Sequence, residues 1–197
     1  MSTGEWKLRP AGPADAGALV DFILMAGDGV PEYLWARMAT PVEAPRAVGE
    51  RRAQRDEGGF SWRNAVLAEA AGGAVVAGLI GYPLPDKPAP TDPEELPAPL
   101  RPLLALEAQV PGSWYLNVLA TRPEWRRCGL GQALMDTATS RARATGRRAL
   151  SLVVSSERRA ARALYEAQGF SVLAVLPKAP EGPVQGGADW VLYRKLI

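Results

Sequence analysis

The sequence contains no histidine. Ser-His-Asp and Cys-His nucleophilic systems need an imidazole base, and many metal sites need an imidazole ligand. All of these are excluded for this chain. Its chemistry must come from carboxylates, tyrosine, serine, backbone groups or water.

Cysteine and long apolar runs are scarce as well. Cys128 is the single cysteine, so no disulfide can form within the chain and no thiolate zinc site can be built from cysteine alone. The longest apolar run, at 74–82, is far shorter than the roughly 20 residues of a membrane-spanning helix. Residues 1–10 show no apolar stretch of the signal-peptide kind. We expect a soluble, cytoplasmic protein with no membrane partner.

Charge and length limit the remaining possibilities. The formal net charge is +2, which is too small to indicate nucleic acid as a partner. The 197 residues suffice for one compact domain with a core. We therefore predict a single domain spanning 1–197, and the sequence leaves a homodimer open.

The spacing of apolar residues and glycines predicts the order β-α-α-ββ-β-α-β-α-β-β. A third helix between the second helix and the hairpin is charged, and we expect it to be peripheral and mostly solvated. Residues 83–111 hold nine of the 18 prolines, which disfavours regular strand pairing there. The fold class predicted is α+β, a mixed α/β arrangement. The predicted strands are 6–9, 65–70, 75–82, 114–120, 150–154, 170–176 and 190–196, and the predicted helices are 15–25, 31–38, 45–55, 100–108, 129–145 and 157–168.

The turn between the strand at 114–120 and the next helix is rich in arginine and glycine. The first turn of a helix has free N–H groups and a partial positive charge, so it can bind a phosphate. Gly129 and Gly131 would let a pyrophosphate approach the backbone, and Arg126 and Arg127 would add charge-assisted hydrogen bonds. An ordinary strand-to-helix turn is the alternative. The Walker loop is absent, and Leu134 stands where a dinucleotide fingerprint needs its third glycine.

The run RRCGLG, from Arg126 to Gly131, resembles the R/Q-x-x-G-x-G/A signature of the GNAT N-acetyltransferase superfamily. It follows a strand and a Pro-Glu-Trp turn, as in that family. The run ALYEAQGF, from Ala163 to Phe170, resembles a second family motif, L-Y-x-x-x-G-F. The two motifs and the element order between them cover roughly 114–170.

This resemblance implies a fold and an activity. The fold would be a central mixed, mostly antiparallel twisted sheet flanked by helices, with two strands splayed at the cofactor site. The activity would be direct transfer of an acetyl or other short acyl group from acetyl-CoA to a small-molecule or peptide amine, without a metal. A non-catalytic acyl-CoA-binding sensor or scaffold of the same fold is the alternative, and a module for another phosphate ligand is a second one.

The resemblance also assigns residues. Main-chain groups near the end of the fourth strand would pair with the pantetheine arm, the loop would hold the pyrophosphate, and Tyr165 would give a proton to the departing thiolate. An ordinary strand end and a core tyrosine are the competing interpretations. The residues assigned to the cofactor are Leu119, Ala120, Thr121, Arg126, Arg127, Cys128, Gly129, Leu130 and Gly131.

One position departs from the family pattern. Arg158 stands where the family often has asparagine, seven residues before the tyrosine. Ser155 or Ser156 could replace an asparagine contact with the cofactor, or the contact is lost.

The sequence does not identify a general base or the acceptor. The first two helices border the acceptor site in the family, which here means residues 27–38 with Tyr33, Trp35 and Met38, and the proline-rich segment could act as a lid or an interface. These aromatics could equally belong to the core. The candidate bases are Glu107, Asp28, Glu32 and Asn117, and a water chain is equally open.

Overall fold

The computed structural model describes residues 5–88, 90, 92–180 and 188–197. Residues 1–4 of the N-terminal stretch and residues 89 and 91 of the proline-rich segment lie outside this part. The fold is a mixed α+β arrangement with a seven-stranded sheet and flanking helices, as predicted. The strands are β1 Trp6–Pro10, β2 Ala65–Ala70, β3 Val75–Pro83, β4 Trp114–Thr121, β5 Ala149–Ser155, β6 Ser171–Pro177 and β7 Asp189–Leu196. The pairs β1–β2, β2–β3, β5–β7 and β6–β7 are antiparallel, and the pair β4–β5 is parallel.

The observed bounds of the six longer helices agree with the predicted bounds to within two residues at every end. Gly169 follows α6 with φ of 82°, as the sequence predicts, and the run Gly27, Asp28, Gly29 follows the end of α1 at Ala26. The longer helices are α1 Ala16–Ala26, α2 Val30–Met38, α3 Pro45–Ala53, α4 Arg101–Glu107, α5 Leu130–Ala144 and α6 Arg159–Ala167. The helix α4 interrupts the proline-rich segment as predicted.

The chain divides into two compact units, and the first comprises residues 5–27, 31–81 and 117–138. It holds β1, β2, β3 as far as Gly81, and the second part of β4. Its core is apolar and continuous, and the buried face of α1 supplies Leu19, Phe22 and Ile23, each at most 1% exposed. Burial of such side chains is the main source of stability for this unit.

The third helix is not mostly solvated, which corrects one prediction. Val48 and Ala53 are buried, and Trp35 lies against the face that Gly49 leaves open. A Cβ at Gly49 would lie 2.5 Å from the indole ring. The helix thus has exposed charged residues on one side and, on the other, a buried glycine notch that the indole fills.

The second unit comprises residues 28–30, 82–88, 90, 92–116, 139–180 and 188–197. In it β7 lies between β5 and β6 and is antiparallel to both. The start of β4 pairs in parallel with β5 at two positions, Trp114 with Leu150 and Tyr115 with Ser151, whereas β5 pairs with β7 along seven residues. The two-pair register is the short ladder that a splay between β4 and β5 predicts.

Within the described residues, the helices are all too short or too polar to span a membrane.

Candidate functional site

The predicted phosphate loop lies in the first unit, between the end of β4 and α5. β4 ends at Thr121, a single 3-10 turn follows at Pro123–Trp125, and α5 begins at Leu130. Arg127 and Gly129 both have positive φ, 63° and 79°. Left-handed backbone is costly for arginine and free for glycine. The chain therefore adopts a tight, specific loop immediately before the helix rather than a relaxed connection.

The loop leaves room for a ligand at Gly129. A Cβ added there would meet no atom within 4 Å, so open space adjoins the backbone at this point. Arg126, Arg127 and Gly129 are exposed, while Leu130 is 1% exposed and anchors the helix start. The first four N–H groups of a helix have no partner within it. The residues present therefore suit a pyrophosphate.

One hydrogen bond joins the end of β4 to the loop. Arg126 Nε donates a hydrogen bond of 3.4 Å to the Thr121 carbonyl. Leu119 and Thr121 are partly exposed and Ala120 is buried. The three strand residues and the six loop residues thus lie in one unit and border one another.

Cys128 is partly exposed in this loop, and its thiol donates to the Arg126 carbonyl at 3.5 Å. A backbone carbonyl cannot take a proton from a thiol, so this contact does not activate the sulfur. The geometry agrees with a small side chain that the turn accommodates.

Tyr165 lies in the second unit and is 7% exposed. Its ring packs against Phe170 and Tyr193, with centroid separations of 5.9 and 6.1 Å. Burial raises the pKa of Tyr165 to about 12. The hydroxyl is therefore neutral at physiological pH and a weaker acid than a free tyrosine.

Glu107, one of four open candidates for the base, lies at the end of α4 in the same unit as Tyr165. Burial raises the pKa of its carboxyl to about 7, and a hydrogen bond from Tyr115 opposes part of that rise. Tyr115 is 4% exposed, and its ring centroid lies 5.9 Å from that of Tyr82. A carboxyl that titrates near neutrality can exchange protons at physiological pH.

Asp28 is held in an ion cluster of the second unit. Its oxygens accept hydrogen bonds of 2.6 Å from Arg158 Nε and 2.8 Å from Lys178 Nζ. Burial alone would raise the pKa of Asp28, but these two cations outweigh it and lower the pKa. With both oxygens occupied and its basicity reduced, Asp28 is a poor general base.

The serines that could replace the family asparagine are occupied by protein groups. Ser155 Oγ accepts from Lys178 Nζ at 2.7 Å, and Ser156 Oγ accepts from the Asp189 N–H at 3.0 Å. Arg158 itself points to Asp28 rather than replacing an amide function. Arg158, which stands where the family often has asparagine, is thus a member of the ion cluster around Asp28.

The aromatics expected near the acceptor differ in their surroundings. Trp35 is 2% exposed and packs edge-on against Phe60, so it belongs to the core. Tyr33 is partly exposed with Arg37 over its ring at 5.7 Å, and Met38 is 49% exposed. Of Tyr33, Trp35 and Met38, only Trp35 is a core residue.

Within the described residues, no group of three or more Cys, Asp or Glu side chains forms a metal-binding arrangement.

Solved structures of similar fold are acetyltransferases. A structure described as an acetyltransferase has 22% identity and a TM-score of 0.65, covering 97% of this chain and 99% of its own. The Drosophila melanogaster polyamine N-acetyltransferase has 18% identity and a TM-score of 0.67, covering 98% and 100%. A mosquito arylalkylamine N-acetyltransferase-like protein has 16% identity and a TM-score of 0.64, covering 98% and 100%. At these identities the likeness concerns the fold.

The sequence itself gives the family. The model of the acetyltransferase (GNAT) family matches residues 32–170, and the chain belongs to that family. Members of this family use acetyl-CoA as co-substrate, which makes the protein an acetyl-CoA-dependent N-acetyltransferase. No curated protein sequence matches the chain.

Proposed function

We propose that the protein transfers an acetyl or other short acyl group from acyl-CoA directly to a primary amine. The observation that carries the proposal is the loop at 126–131, where open space at Gly129 adjoins the N-terminus of α5. Its two exposed arginines supply the positive charge that a pyrophosphate needs. The main chain at Leu119, Ala120 and Thr121 is the proposed partner of the pantetheine arm.

In the proposed reaction the neutral amine attacks the thioester carbon, a C–N bond forms and the C–S bond breaks. Tyr165 donates a proton to the departing thiolate and regains one from the nitrogen, which is positively charged after attack. Burial raises the pKa of Tyr165 to about 12, which keeps the hydroxyl protonated at physiological pH but makes it a weaker acid than the thiol, so its donation is coupled to the return of a proton from the nitrogen. Cys128 takes no part as a nucleophile, because its thiol contacts a carbonyl rather than a base.

The acceptor class we propose is a primary amine of a small molecule or a peptide. Structures with this fold include one described as a polyamine N-acetyltransferase that forms N-acetylagmatine and one described as arylalkylamine N-acetyltransferase-like. The experiment is a turnover assay of thiol release from acetyl-CoA with agmatine, spermidine, tyramine and a short peptide. Amine-dependent thiol release and a matching acetylated product are expected. Release that does not depend on the amine would contradict the proposal.

The alternative is a sensor or scaffold that binds acyl-CoA without turnover. It is favoured by Arg158, which replaces an asparagine of the family pattern and is committed to Asp28. Calorimetry with acetyl-CoA, CoA, NAD and ATP separates the possibilities further. Tight acetyl-CoA binding without transfer to any amine supports the sensor, and preference for NAD or ATP supports a different phosphate ligand.

We further propose that residues 1–197 act as a single acyltransferase domain in the cytoplasm, without nucleic acid or a membrane as partner. The small net charge and the single cysteine support this. Cell fractionation tests the compartment, and sedimentation of the purified protein decides between a monomer and a homodimer.

A further inference from the structure

The sheet has two edges, formed by β1 and β6. An edge strand has backbone N–H and C=O groups without a strand partner on its outer side, so it can pair with a strand of another chain. Proteins that keep an edge free commonly protect it with charged side chains or proline. The composition of an edge strand therefore indicates whether that edge stays exposed or is covered.

The edge at β1 is protected by charge. Lys7 and Arg9 lie in this five-residue strand, and the Lys7 side chain is 71% exposed. The guanidinium of Arg9 lies 2.6 Å from the Glu69 carboxylate and 2.8 Å from that of Asp15. The strand ends at Pro10, which has no N–H to donate. A strand added here would have to accommodate these groups, so this edge is suited to remain exposed.

The edge at β6 is apolar and carries no charge. Its seven residues, SVLAVLP, include no ionisable side chain, and the single proline is the last residue of the strand. Val172, Leu173 and Val175 are 48%, 39% and 49% exposed. Among the described residues six large apolar side chains are exposed, and three of them belong to this strand. Apolar side chains scattered singly over a surface need no explanation, but three within one strand indicate an interaction surface.

The register with β7 places two of these side chains on one face of the sheet. Val172 lies opposite Tyr193 and Val175 lies opposite Val191, which is two positions from Tyr193 and so shares its face. The register shifts at Leu173, the extra residue of this irregularity. Tyr193 and Val191 are at most 3% exposed. The buried apolar face thus continues from β7 onto β6, where it becomes open to solvent.

A second copy of this chain is the partner that suits β6. A two-fold interface sets the same strand against itself in antiparallel order, so a charge on the strand would face a like charge nearby. β6 has no charge and can pair with itself without repulsion, whereas Lys7 and Arg9 would repel their copies in a pair of β1 strands. A partner strand recognised through its charge would find no opposite charge on β6. The seven residues span about 23 Å, which is long enough for a continuous ladder.

We propose that β6 pairs with β6 of a second copy in antiparallel, two-fold order, so that the two seven-stranded sheets join and Val172, Leu173 and Val175 become buried. The backbone of β6 supplies the hydrogen bonds of this interface, and the three apolar side chains supply its buried surface. The interface is independent of the proposed function, because β6 contains none of the residues assigned to the cofactor or to catalysis.

The first test is sedimentation velocity of the parent protein and of Val175→Lys between about 1 and about 100 µM. The parent should be a dimer at the upper concentrations. The variant should dimerise at least tenfold more weakly, because the two-fold axis brings two lysines into one interface. Val42→Lys is the matched control, since Val42 is 97% exposed and lies in the first unit, and it should dimerise like the parent. Circular dichroism checks that both variants are folded.

Amide hydrogen exchange then locates the interface. In the parent, peptides covering 171–177 should exchange more slowly at about 100 µM than at about 1 µM, because pairing protects their N–H groups. Val175→Lys should lose this difference, and peptides covering 6–10 should show none in either protein. A parent that is monomeric at about 100 µM would overturn the proposal and indicate a different protein as the occupant. Protection at 6–10 instead of 171–177, or unchanged dimerisation of Val175→Lys, would overturn it as well.

Activity separates this interface from the proposed function. Val175→Lys should release thiol from acetyl-CoA, in the presence of the amine, at the rate of the parent per chain. If the parent dimerises through 171–177 but transfers no acetyl group, the proposed function fails and the interface stands. If the parent is an active monomer, the interface fails and the proposed function stands.

Discussion

Lys178 and Asp28 form a buried ion pair, with Nζ 2.8 Å from Oδ2 and side chains that are 5% and 10% exposed. The same Nζ lies 4.3 Å from the centroid of the Trp190 ring and donates to Ser155. Asp28 itself has φ of 50°, in the turn between α1 and α2. A residue with strained backbone is thus held by its side chain, which indicates that the turn depends on the ion pair.

Asp28→Asn should lower the free energy of unfolding by about 3 kcal/mol at pH 7, because Lys178 would stay buried without its carboxylate. Asparagine tolerates positive φ, so the variant isolates the charge. The folded-state pKa of Asp28 lies below its unfolded value, so its stabilisation is complete above about pH 5 and is lost as pH falls through the folded pKa. Urea unfolding from pH 3 to 8 should show the difference between parent and variant shrinking at low pH.

The control for this experiment is Asp56→Asn. Asp56 pairs with Arg63, but its side chain is 69% exposed. Exposed pairs contribute little, so stability should change by less than about 1 kcal/mol. An Asp28 variant no less stable than this control would show that the turn does not depend on the pair.

Gly129→Val should abolish acetyl-CoA binding while the protein stays folded. The added side chain would occupy the open space beside the loop, and it would meet no protein atom within 4 Å of its Cβ. Gly146→Val is a matched control, since Gly146 also has positive φ, 72°, and open space around it. Both variants carry the same backbone strain, and calorimetry should show loss of binding in the Gly129 variant alone. Retained affinity in both would contradict the loop assignment.

Arg126→Ala should weaken acetyl-CoA binding by roughly tenfold at low salt and by less at high salt. Arg126 is exposed, and screening by ions shortens the reach of an exposed charge. Arg55→Ala removes an exposed arginine just beyond the end of α3 and serves as the control. Calorimetry at about 20 and about 500 mM NaCl, on either side of physiological ionic strength, measures both. An equal loss at the two salt concentrations would indicate a contact other than a screened charge.

Tyr165→Phe should lower kcat by on the order of a hundredfold and leave acetyl-CoA affinity nearly unchanged. Among the described residues the Tyr165 hydroxyl makes no hydrogen bond, so stability should change by about 1 kcal/mol or less. Tyr193→Phe is the opposite case, because that hydroxyl donates to Glu166 at 2.6 Å and accepts from Arg162 at 3.0 Å. Tyr193→Phe should lower the free energy of unfolding more than Tyr165→Phe does, and should lower kcat less. Parent-level turnover by the Tyr165 variant would leave this tyrosine a core residue only.

Local features of the sequence predict most of the fold. Glycine spacing and apolar periodicity place every strand and long helix because these signals act within a few residues. The loop before α5 is also local, since Arg126 and Gly129 are three residues apart. Only the solvation of α3 was wrong, because the notch at Gly49 is seen only once Trp35 lies against it.

Whether a given carboxylate can act as a base depends on residues that are distant from it in the sequence. Asp28 and Lys178 are 150 positions apart, and nothing in either segment indicates the other. Burial raises the pKa of Glu107, and the residues that bury it come from other parts of the chain. The sequence could therefore name Glu107 and Asp28 as candidate bases, but only packing distinguishes a free carboxylate from one neutralised by two cations.

The proline-rich segment begins and ends at the same place in the second unit. Leu84 N–H donates to the Ser113 carbonyl at 2.8 Å, and Gly112 N–H donates to the Pro85 carbonyl at 3.0 Å. Because the two ends are hydrogen-bonded to each other, the exposed turns at 86–88 and 92–95 can change without shifting the register of the strands on either side, whereas α4 packs against β5, β6 and β7. Glu107 lies within this segment, at the end of α4. Insertions or exchanges in those turns would then give an evolving lineage, or a protein engineer, a way to change the surface of the second unit while the phosphate loop sequence stays untouched.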